Sequence, residues 1–380
     1  MHILYIYAEI TIKGGTDKVL VEKANWLVNH GYEVTMVTES QMGRPFSFEL
    51  DEKVHHIDMG LDFNRQYLEN SLKRLITYNT LMKLYKKQLR QTLFDVRPDI
   101  AITAMGRSLS LLPFIYDGSI KIGEAHTTKL HLRGLHLLEN RGGLFWIVAK
   151  YMRWKMCRSA SRLKCLVSLT QNDADDWKNI TNTYVIPNPI SFYSEKSASL
   201  ENKQVIMVGR YNDAKGYDYL IPAWEIVHQV YPDWVLNVYG SGELHDDICI
   251  WIKERNLDET IILHDPIDNI MDKYLESSIC VLTSRYEGFS LVILESMACG
   301  VPVVSFDSPY GPRNIIRDGE DGVLVNYLDI QGMADNLCKL IANKELRKRM
   351  GANARENVLR FSKDSVMNNW VQLFSKLLVS

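Results

Sequence analysis

Residues 286–300 read Tyr-Glu-Gly-Phe-Ser-Leu-Val-Ile-Leu-Glu-Ser-Met-Ala-Cys-Gly. The run just before them, residues 278–283, is short and apolar, which is typical of a strand buried on both faces of a parallel sheet. Ser290 stands where a helix N-cap is expected, and the apolar residues after it predict a short helix. The chain therefore passes from a strand through a loop into a helix, which is the repeating step of an α/β fold.

The loop and helix carry two carboxylates, Glu287 and Glu295, about two helical turns apart. Gly288 lets a ligand approach the backbone closely, and the unpaired amides and dipole of a helix start attract phosphate. Two such glutamates also occur in capped amphipathic helices whose acids lie at the surface. In the ligand-binding interpretation, one carboxylate meets a sugar and the other a neighbouring polyol.

The residues around the two glutamates make the pattern specific: Glu-Gly-Phe-Ser stands at 287–290 and Met-Ala-Cys-Gly-Val-Pro-Val-Val at 297–304. This Glu-x7-Glu pattern resembles the signature of retaining nucleotide-sugar glycosyltransferases, in particular family 4, which has the GT-B fold. The resemblance implies that Glu287 contacts the transferred sugar and Glu295 the nucleotide ribose. It also implies that the substrate is bound by the residues between them, namely Gly288, Phe289, Ser290 and Leu291.

Length and composition limit the possible classes of protein. A chain of 380 residues exceeds what one hydrophobic core usually organises, so two domains are expected. A formal net charge of -2 argues against a nucleic-acid-binding protein. The six cysteines include no Cys-x-x-Cys pair, which argues against a zinc site and a disulfide framework.

Residues 1–7 are interpreted as a first strand and not as a signal peptide. They lack the basic region, long apolar stretch and cleavage site that a signal peptide has. No window approaches the ~20 uninterrupted apolar residues of a membrane-spanning helix. We therefore expect a cytoplasmic protein.

Strands and amphipathic segments alternate along the chain, as in doubly wound sheets. In the first half, strands are predicted at 2–7, 33–38, 55–59, 99–103, 119–124, 163–169 and 183–186. A polar run after two prolines predicts a linker at 191–203. Six more strands are predicted at 204–208, 235–239, 260–263, 278–283, 302–306 and 323–325, and only helical patterns follow residue 328.

The resemblance implies an α/β, GT-B architecture of two Rossmann-like doubly wound domains facing across a cleft. The N-terminal, acceptor-side domain is assigned to 1–190 and the nucleotide-sugar-binding domain to 204–360. Residues 361–380 are expected to pack back on the N-terminal domain as a helix over 364–378.

Two loops of the first domain contain candidate site residues. Gly14 and Gly15 follow the first strand without the Gly-x-Gly-x-x-Gly spacing of a dinucleotide site, and a plain strand-to-helix turn explains them equally well. The resemblance places them along the cleft, near the donor diphosphate and the acceptor. His126 follows another strand, and the resemblance implies a position near the donor sugar and acceptor.

Two stretches of this half, 70–92 and 141–164, are both basic and apolar. One interpretation is helices whose apolar faces pack on the sheet and whose charges are solvated. The other is a surface that contacts anionic lipid at the inner face of the cell membrane. Such a contact would suit an enzyme with a lipid-linked acceptor. The alternatives are balanced for the first stretch, and packing on the sheet is favoured for the second.

Asp173 and Asp175 form an Asp-x-Asp pattern that in other glycosyltransferases binds a divalent metal. Here the acids open a helix, and stabilisation of the helix N-terminus explains them better. No metal is expected.

The stretch 209–216, Gly-Arg-Tyr-Asn-Asp-Ala-Lys-Gly, follows the first strand of the second domain and resembles the Gly-Arg and Lys-Gly element of family 4. Breaking the bond from a sugar to a nucleoside diphosphate leaves negative charge, which fixed cations stabilise. The resemblance implies this role for Arg210, which can engage two oxygens, and for Lys215, with Gly209 binding substrate beside them.

Three further segments of the second domain give weaker signals. The turn 239–243 contains two glycines, which simple turn formation also explains. Asp265 and Pro266 follow His264 where the family often has glycine, so the base is not indicated by this motif. Residues 308–316 resemble members that build bacterial surface polysaccharides from UDP-activated hexoses or N-acetylhexosamines.

Together these features predict a retaining transferase that moves a hexosyl or N-acetylhexosaminyl unit from a nucleotide sugar, with UDP as the expected nucleotide, to a glycan or lipid-linked acceptor. The nucleotide sugar is a co-substrate, no cofactor is expected, and no protein residue is assigned as nucleophile. A UDP-sugar 2-epimerase, a glycan phosphorylase and a non-catalytic nucleotide-sugar-binding protein are the alternatives on the same fold.

Overall fold

The computed structural model describes residues 1–11 and 14–379. The chain divides into two compact units. Unit 1 contains Met1–Pro187 and Met367–Ser380, and unit 2 contains Asn188–Val366.

Within the described residues, unit 1 is built on a parallel sheet of seven strands, in the order β3-β2-β1-β4-β5-β6-β7. The strands are β1 His2–Tyr7, β2 Glu33–Thr38, β3 His55–Asp58, β4 Ile100–Thr103, β5 Ile120–Ala125, β6 Cys165–Ser168 and β7 Thr183–Val185. The order changes direction between β1 and β4, as in Rossmann-like sheets. The helices that connect the strands are α1 Gly15–Asn29, α2 Ser71–Val96, α3 Leu135–Asn140, α4 Gly143–Ala160 and α5 Gln171–Trp177.

Unit 2 repeats this plan with six strands among its described residues, in the order β10-β9-β8-β11-β12-β13. They are β8 Gln204–Val208, β9 Val235–Tyr239, β10 Ile261–His264, β11 Ile279–Leu282, β12 Val303–Phe306 and β13 Gly322–Val325. The helices are α6 Tyr217–Val230, α7 His245–Glu254, α8 Ile270–Leu275, α9 Leu291–Ala298, α10 Ile330–Ala342 and α11 Lys344–Asn357, and the chain ends in α12 Lys363–Val379.

Burial of the strands explains why their sequences are apolar without alternation. All residues of β11 and β12 are buried, because helices cover both faces of a parallel sheet. In unit 1, the core includes Leu4 and Ala101 of the sheet with Tyr85, Leu89 and Leu93 of α2. The predicted strands are confirmed, and each lies within two residues of its predicted bounds in the described part of the chain.

Residues 191–203 lie in neither helix nor strand, but they are attached to unit 2. Arg355 donates hydrogen bonds to the carbonyl groups of Ser194, Glu195 and Lys196, and Arg347 donates to that of Leu200. The polar segment is thus held by arginines that its own sequence does not reveal.

The packing observed for helix α4 differs from the prediction that was favoured for this stretch. Ala149, Met156 and Ala160 are buried, but the apolar residues 144–148 are exposed. The expectation that the apolar residues of this stretch pack on the sheet is therefore wrong for residues 144–148, whose side chains are exposed among the described residues.

Candidate active site

The strand order of unit 2 changes direction between β8 and β11, so the loops after these two strands leave the sheet side by side. Such a switch point forms a crevice at the carboxyl edge, where open α/β sheets bind ligands. Gly209 and Arg210 follow β8, and Glu287 and Gly288 lie in the loop between β11 and α9. The fold thus brings the two predicted elements of this unit to one edge of one sheet.

Lys215 and Glu287 are in direct contact at this edge. The ammonium of Lys215 donates to Oε1 of Glu287 over 2.6 Å, and the hydroxyl of Ser284 donates to the same oxygen over 2.7 Å. The two charged side chains are only 17% and 13% exposed. Partial exclusion from solvent strengthens this ion pair relative to one at an open surface.

The backbone around Lys215 requires glycine at the next position. A short 3-10 helix, Asp213–Lys215, ends at Gly216, which has a left-handed φ of 66°. A Cβ on Gly216 would lie 2.2 Å from the carbonyl oxygen of Thr283, whose hydroxyl donates to the Lys215 carbonyl over 3.0 Å. Glycine therefore lets the lysine turn approach the end of β11.

Arg210 differs from Lys215 in its surroundings. Arg210 is exposed, and within the described chain its guanidinium has no ion-pair or hydrogen-bond partner. Its positive charge acts on the neighbouring Tyr286, where it lowers the pKa of a phenol that burial raises. Arg210 is therefore available to an anionic ligand.

Arg285 connects the two loops and was not identified from the sequence. Its guanidinium makes a bidentate contact with Asp218 over 2.8 and 2.6 Å and donates to the Asp213 carbonyl over 2.8 Å. Its backbone amide donates to the Ala214 carbonyl over 2.8 Å. Arg285 thus holds the lysine turn against the loop of Glu287, and its place two residues before Glu287 is the only sequence signal for this role.

We expect Arg285→Ala to lower kcat/KM for sugar transfer about 10- to 100-fold, because a small displacement of catalytic groups has effects of this size. Arg285→Lys should restore only part of the activity, since lysine cannot make the bidentate contact. Asp218→Asn should act on the same interaction, so its effect and that of Arg285→Ala should not add. Steady-state kinetics of the single and double variants test this.

Arg255 provides the matched control, because it forms a partly exposed ion pair with Glu225 in the same unit. Arg255→Ala should leave the kinetics unchanged. Equal losses of activity in the Arg255 and Arg285 variants, or additive losses for Arg285 and Asp218, would contradict the positioning role.

The helix α9 begins after Ser290, as predicted, but the serine does not act as an N-cap through its side chain. Its hydroxyl is buried and has no hydrogen-bond partner among the residues that the structure describes. Leu291 opens the helix, and Phe289 is buried edge-on against Phe361 with ring centroids 5.5 Å apart. Packing of Phe289 therefore fixes the approach to the helix start.

Glu295 lies on α9 and is buried. The hydroxyl of Tyr274 donates to its Oε2 over 3.4 Å. Burial, and then the charge of Glu295, raise the pKa of Tyr274 well above its ordinary value, so the phenol stays protonated and can donate. Tyr274 thereby fixes one carboxylate oxygen, a role the sequence did not reveal.

The segment 308–316 packs against the loop of Glu287. Tyr310 pairs with Glu287 as an isolated parallel bridge and has a positive φ of 78°. A Cβ on Gly311 would lie 2.6 Å from Cβ of Glu287, so glycine permits this close approach. The segment that was singled out only for its resemblance to polysaccharide-building enzymes therefore lies beside the loop of Glu287.

The turn after β9 lies beside the loop after β8. The Tyr211 amide donates to the Ser241 carbonyl over 2.8 Å, and the Gly240 amide donates to the His264 carbonyl over 3.0 Å. The imidazole of His264 stacks on Tyr239 with centroids 4.4 Å apart. Asp265, which departs from the family pattern, is exposed at this rim.

Unit 1 holds the remaining predicted residues. Gly14 immediately precedes α1 and Gly15 is its first residue. His126 follows β5, and its Nε2 lies 3.2 Å from Oε1 of Glu124. Lys23 donates to the same carboxylate oxygen over 2.6 Å.

The Lys23–Glu124 pair is almost completely buried, with each side chain 1% exposed. Burial alone would raise the pKa of Glu124, but Lys23 and His126 outweigh it and hold the pKa at about 2. The glutamate therefore stays charged beside His126. The single acid of strand β5 was the available sequence signal for this pair.

The two acids of the Asp-x-Asp pattern have different surroundings. Asp173 is buried in the first turn of α5, where it accepts a hydrogen bond from the Lys129 amide over 2.8 Å, and burial raises its pKa to about 6. Asp175 lies at the surface near Gln171 and Lys178. Residues 1–11 and 14–379 contain no group of three or more His, Cys, Asp or Glu side chains placed to hold a metal.

In the part of the chain that the structure describes, every helix is too short or too polar to cross a membrane.

Comparisons with known proteins agree with this geometry. Residues 190–357 match the family described as "Glycosyl transferases group 1". An uncharacterized glycosyltransferase of Haemophilus influenzae is 28% identical over 94% of this chain and 95% of its own length. The amylovoran biosynthesis glycosyltransferase AmsD of Erwinia amylovora is 25% identical over 97% of this chain and 98% of its own.

A crystal structure of a mutant of S. aureus TarM, in complex with fondaparinux, alpha-GlcNAc-glycerol and UDP, is similar over 98% of this chain and 99% of that one. The TM-score is 0.79 at 18% identity. This similarity confirms the predicted GT-B fold class.

Proposed function

We propose that the chain is a glycosyltransferase of the glycosyl transferases group 1 family, family 4, and that it transfers a hexosyl or N-acetylhexosaminyl unit from a UDP-sugar to a hydroxyl of a glycan or lipid-linked acceptor. The reaction retains the configuration of the sugar and serves the synthesis of a bacterial surface polysaccharide. The nucleotide sugar is a co-substrate, and the reaction uses no cofactor.

The contact between Lys215 and Glu287 carries this proposal. It joins a cation and a carboxylate from two separate sequence elements at the switch point of one sheet. The exposed Arg210 beside them supplies a second cation without a partner among the described residues. Two cations and a helix start at one sheet edge suit the diphosphate of a nucleotide sugar.

In the proposed reaction, Arg210 and Lys215 stabilise the charge that grows on the departing diphosphate. Glu287 positions the sugar and Glu295 holds the ribose. Gly209 and residues 288–291 bind the donor along the backbone. His126, Gly14 and Gly15 belong to the acceptor-side domain, for which we propose residues 1–190, with the donor domain at 204–360.

The names of similar proteins support the choice of substrates. AmsD is named for amylovoran biosynthesis, and the TarM complex contains UDP and alpha-GlcNAc-glycerol. A lipid-linked acceptor would be met at the inner face of the cell membrane, so we propose a cytoplasmic protein that works at that surface.

Thermal unfolding in the presence of UDP-, GDP- and ADP-sugars tests the donor. A ligand at 100 times its Kd stabilises the folded state by about 2.7 kcal/mol. For a domain of the size of unit 2, this corresponds to a rise in Tm of about 5–10 °C. We expect this rise with UDP and UDP-sugars. Arg210→Ala should reduce it, while Lys203→Ala, at an exposed ion pair with Asp233, should not.

A larger shift with GDP- or ADP-sugars would reject UDP as the nucleotide. Product analysis without acceptor separates the enzyme classes, because a 2-epimerase converts the UDP-sugar alone. Phosphorolysis of a glycan would indicate a phosphorylase. Binding without turnover over a panel of glycan and lipid-linked acceptors would indicate a nucleotide-sugar-binding protein.

A further inference from the structure

The first half of α4 exposes a continuous apolar segment. Residues 144–148 read Leu-Phe-Trp-Ile-Val, and their side chains are between 43% and 73% exposed. Tyr151 and Trp154 extend this surface along the helix at 60% and 55% exposure. Exposed apolar side chains usually occur singly on a protein surface, so a run of five consecutive ones indicates an interaction site.

The helix is nevertheless firmly attached to unit 1. Met156 and Ala160 in its second half are buried in the core, and Arg153 makes a bidentate contact with Glu139 of α3 over 2.9 Å for both hydrogen bonds. The apolar segment is therefore presented on a fixed element.

The charges of α4 have one sign. Residues 143–160 contain Lys150, Arg153, Lys155 and Arg158 and no acidic residue. Lys150 lies over the ring of Trp146 at 5.2 Å, and Arg158 lies over that of Trp154 at 5.4 Å. Tryptophan and tyrosine beside basic residues are typical of helices that lie in the interface of an anionic bilayer.

The helix α2 is also basic, but its apolar face packs in the core of unit 1. Tyr85, Leu89 and Leu93 are buried in the core, and Leu75 and Ile76 are exposed near its start. The two stretches that were similar in sequence therefore differ in structure, because α2 buries Tyr85, Leu89 and Leu93, whereas α4 exposes the five consecutive apolar residues 144–148.

A second copy of this chain is a less suitable partner. In a symmetric dimer the same patch meets itself, so Lys150, Lys155 and Arg158 of one α4 would face the same cations of the other. An anionic lipid surface complements both the cations and the apolar side chains.

We propose that α4 docks the protein on anionic membrane, with residues 144–148 inserted among the lipids and Lys150, Lys155 and Arg158 at the headgroups. This deepens the proposed function by naming the surface that would bring unit 1 to a lipid-linked acceptor. The binding itself is independent of donor and catalysis.

Co-sedimentation of the full chain with phosphatidylcholine vesicles, with and without phosphatidylglycerol, tests the proposal. We expect binding that requires phosphatidylglycerol and weakens with added salt. Trp146→Ser with Ile147→Ser should lower the partition coefficient about tenfold or more, since apolar side chains no longer enter the lipid. Lys150→Glu with Lys155→Glu should produce a loss on the order of tenfold or more.

Leu75→Ser with Ile76→Ser is the matched control, because these residues are equally exposed on α2 of the same unit. This control should bind vesicles like the wild type.

The UDP-induced rise in Tm should persist in the α4 variants, which shows that they fold and keeps vesicle binding separate from the donor site. Absence of vesicle binding by the wild type, or equal losses for α2 and α4 variants, would overturn the proposal. An oligomer that only the α4 variants dissociate, without vesicle binding, would indicate a second copy and also overturn it.

Discussion

Replacing Lys215 with alanine is expected to lower kcat/KM for sugar transfer about 100- to 1,000-fold, as removal of one preorganised oxyanion donor does. The loss has two physical causes. The departing diphosphate loses a cation, and Glu287 loses the partner that lies 2.6 Å away. Release of UDP from the donor that gives the largest thermal shift measures the effect.

Two variants separate these causes. Arg210→Ala removes a cation that has no partner among the described residues, so its effect should be on turnover and donor binding with little change in Tm. Glu287→Gln keeps Lys215 and removes the carboxylate. Lys203→Ala is the surface control. If UDP release by the Lys215 variant stays within about threefold of the wild type, Lys215 has no role in stabilising the leaving group.

Replacing Lys23 with methionine is expected to reduce the free energy of unfolding by about 3–5 kcal/mol. The substitution leaves Glu124 as a buried carboxylate without its closest partner, since Lys23 and Glu124 are each 1% exposed. It also removes the ammonium that lies 3.7 Å from the ring centroid of Trp370, in the part of α12 that belongs to unit 1. Urea unfolding followed by circular dichroism measures the loss.

The double variant Lys23→Met with Glu124→Gln is the control. Because neither position of the Lys23–Glu124 pair then carries a charge, it should be clearly more stable than Lys23→Met alone. Equal stability of the single and double variants would contradict the importance of this ion pair.

The pH dependence provides an independent test of the same pair. In the wild type the folded-state pKa of Glu124, about 2, lies below its ordinary value of 4.5, so its ionisation stabilises the fold above pH 4.5 and this contribution is lost as pH falls through about 2. Without Lys23, only His126 opposes the effect of burial, so the folded-state pKa of Glu124 should rise. The difference in stability between wild type and Lys23→Met should therefore become smaller as the pH falls below that raised pKa, which urea unfolding over a series of pH values measures.

The elements of the fold could be predicted because their signals are local. A strand such as β11 is an uninterrupted apolar run, and the helix α9 begins directly after Ser290. The Glu-x7-Glu spacing and the Gly-Arg and Lys-Gly element are likewise short segments. The sequence by itself therefore determined the strand positions and the fold class.

Only the tertiary structure decided which of these residues meet. Lys215 and Glu287 are 72 positions apart, and Lys23 and Glu124 are 101 positions apart. Their contacts depend on the order of strands in the sheets, which no local pattern records. Arg285 is recognisable as a connection between two loops only when both loops are in place.

The two basic helices show the same division between sequence and structure. Their composition indicated amphipathic segments, but an apolar side chain is buried only where another element covers it. The core of unit 1 covers Tyr85, Leu89 and Leu93 of α2, whereas residues 144–148 of α4 are exposed. Sequence thus determined which residues could be buried, and packing decided which of them are.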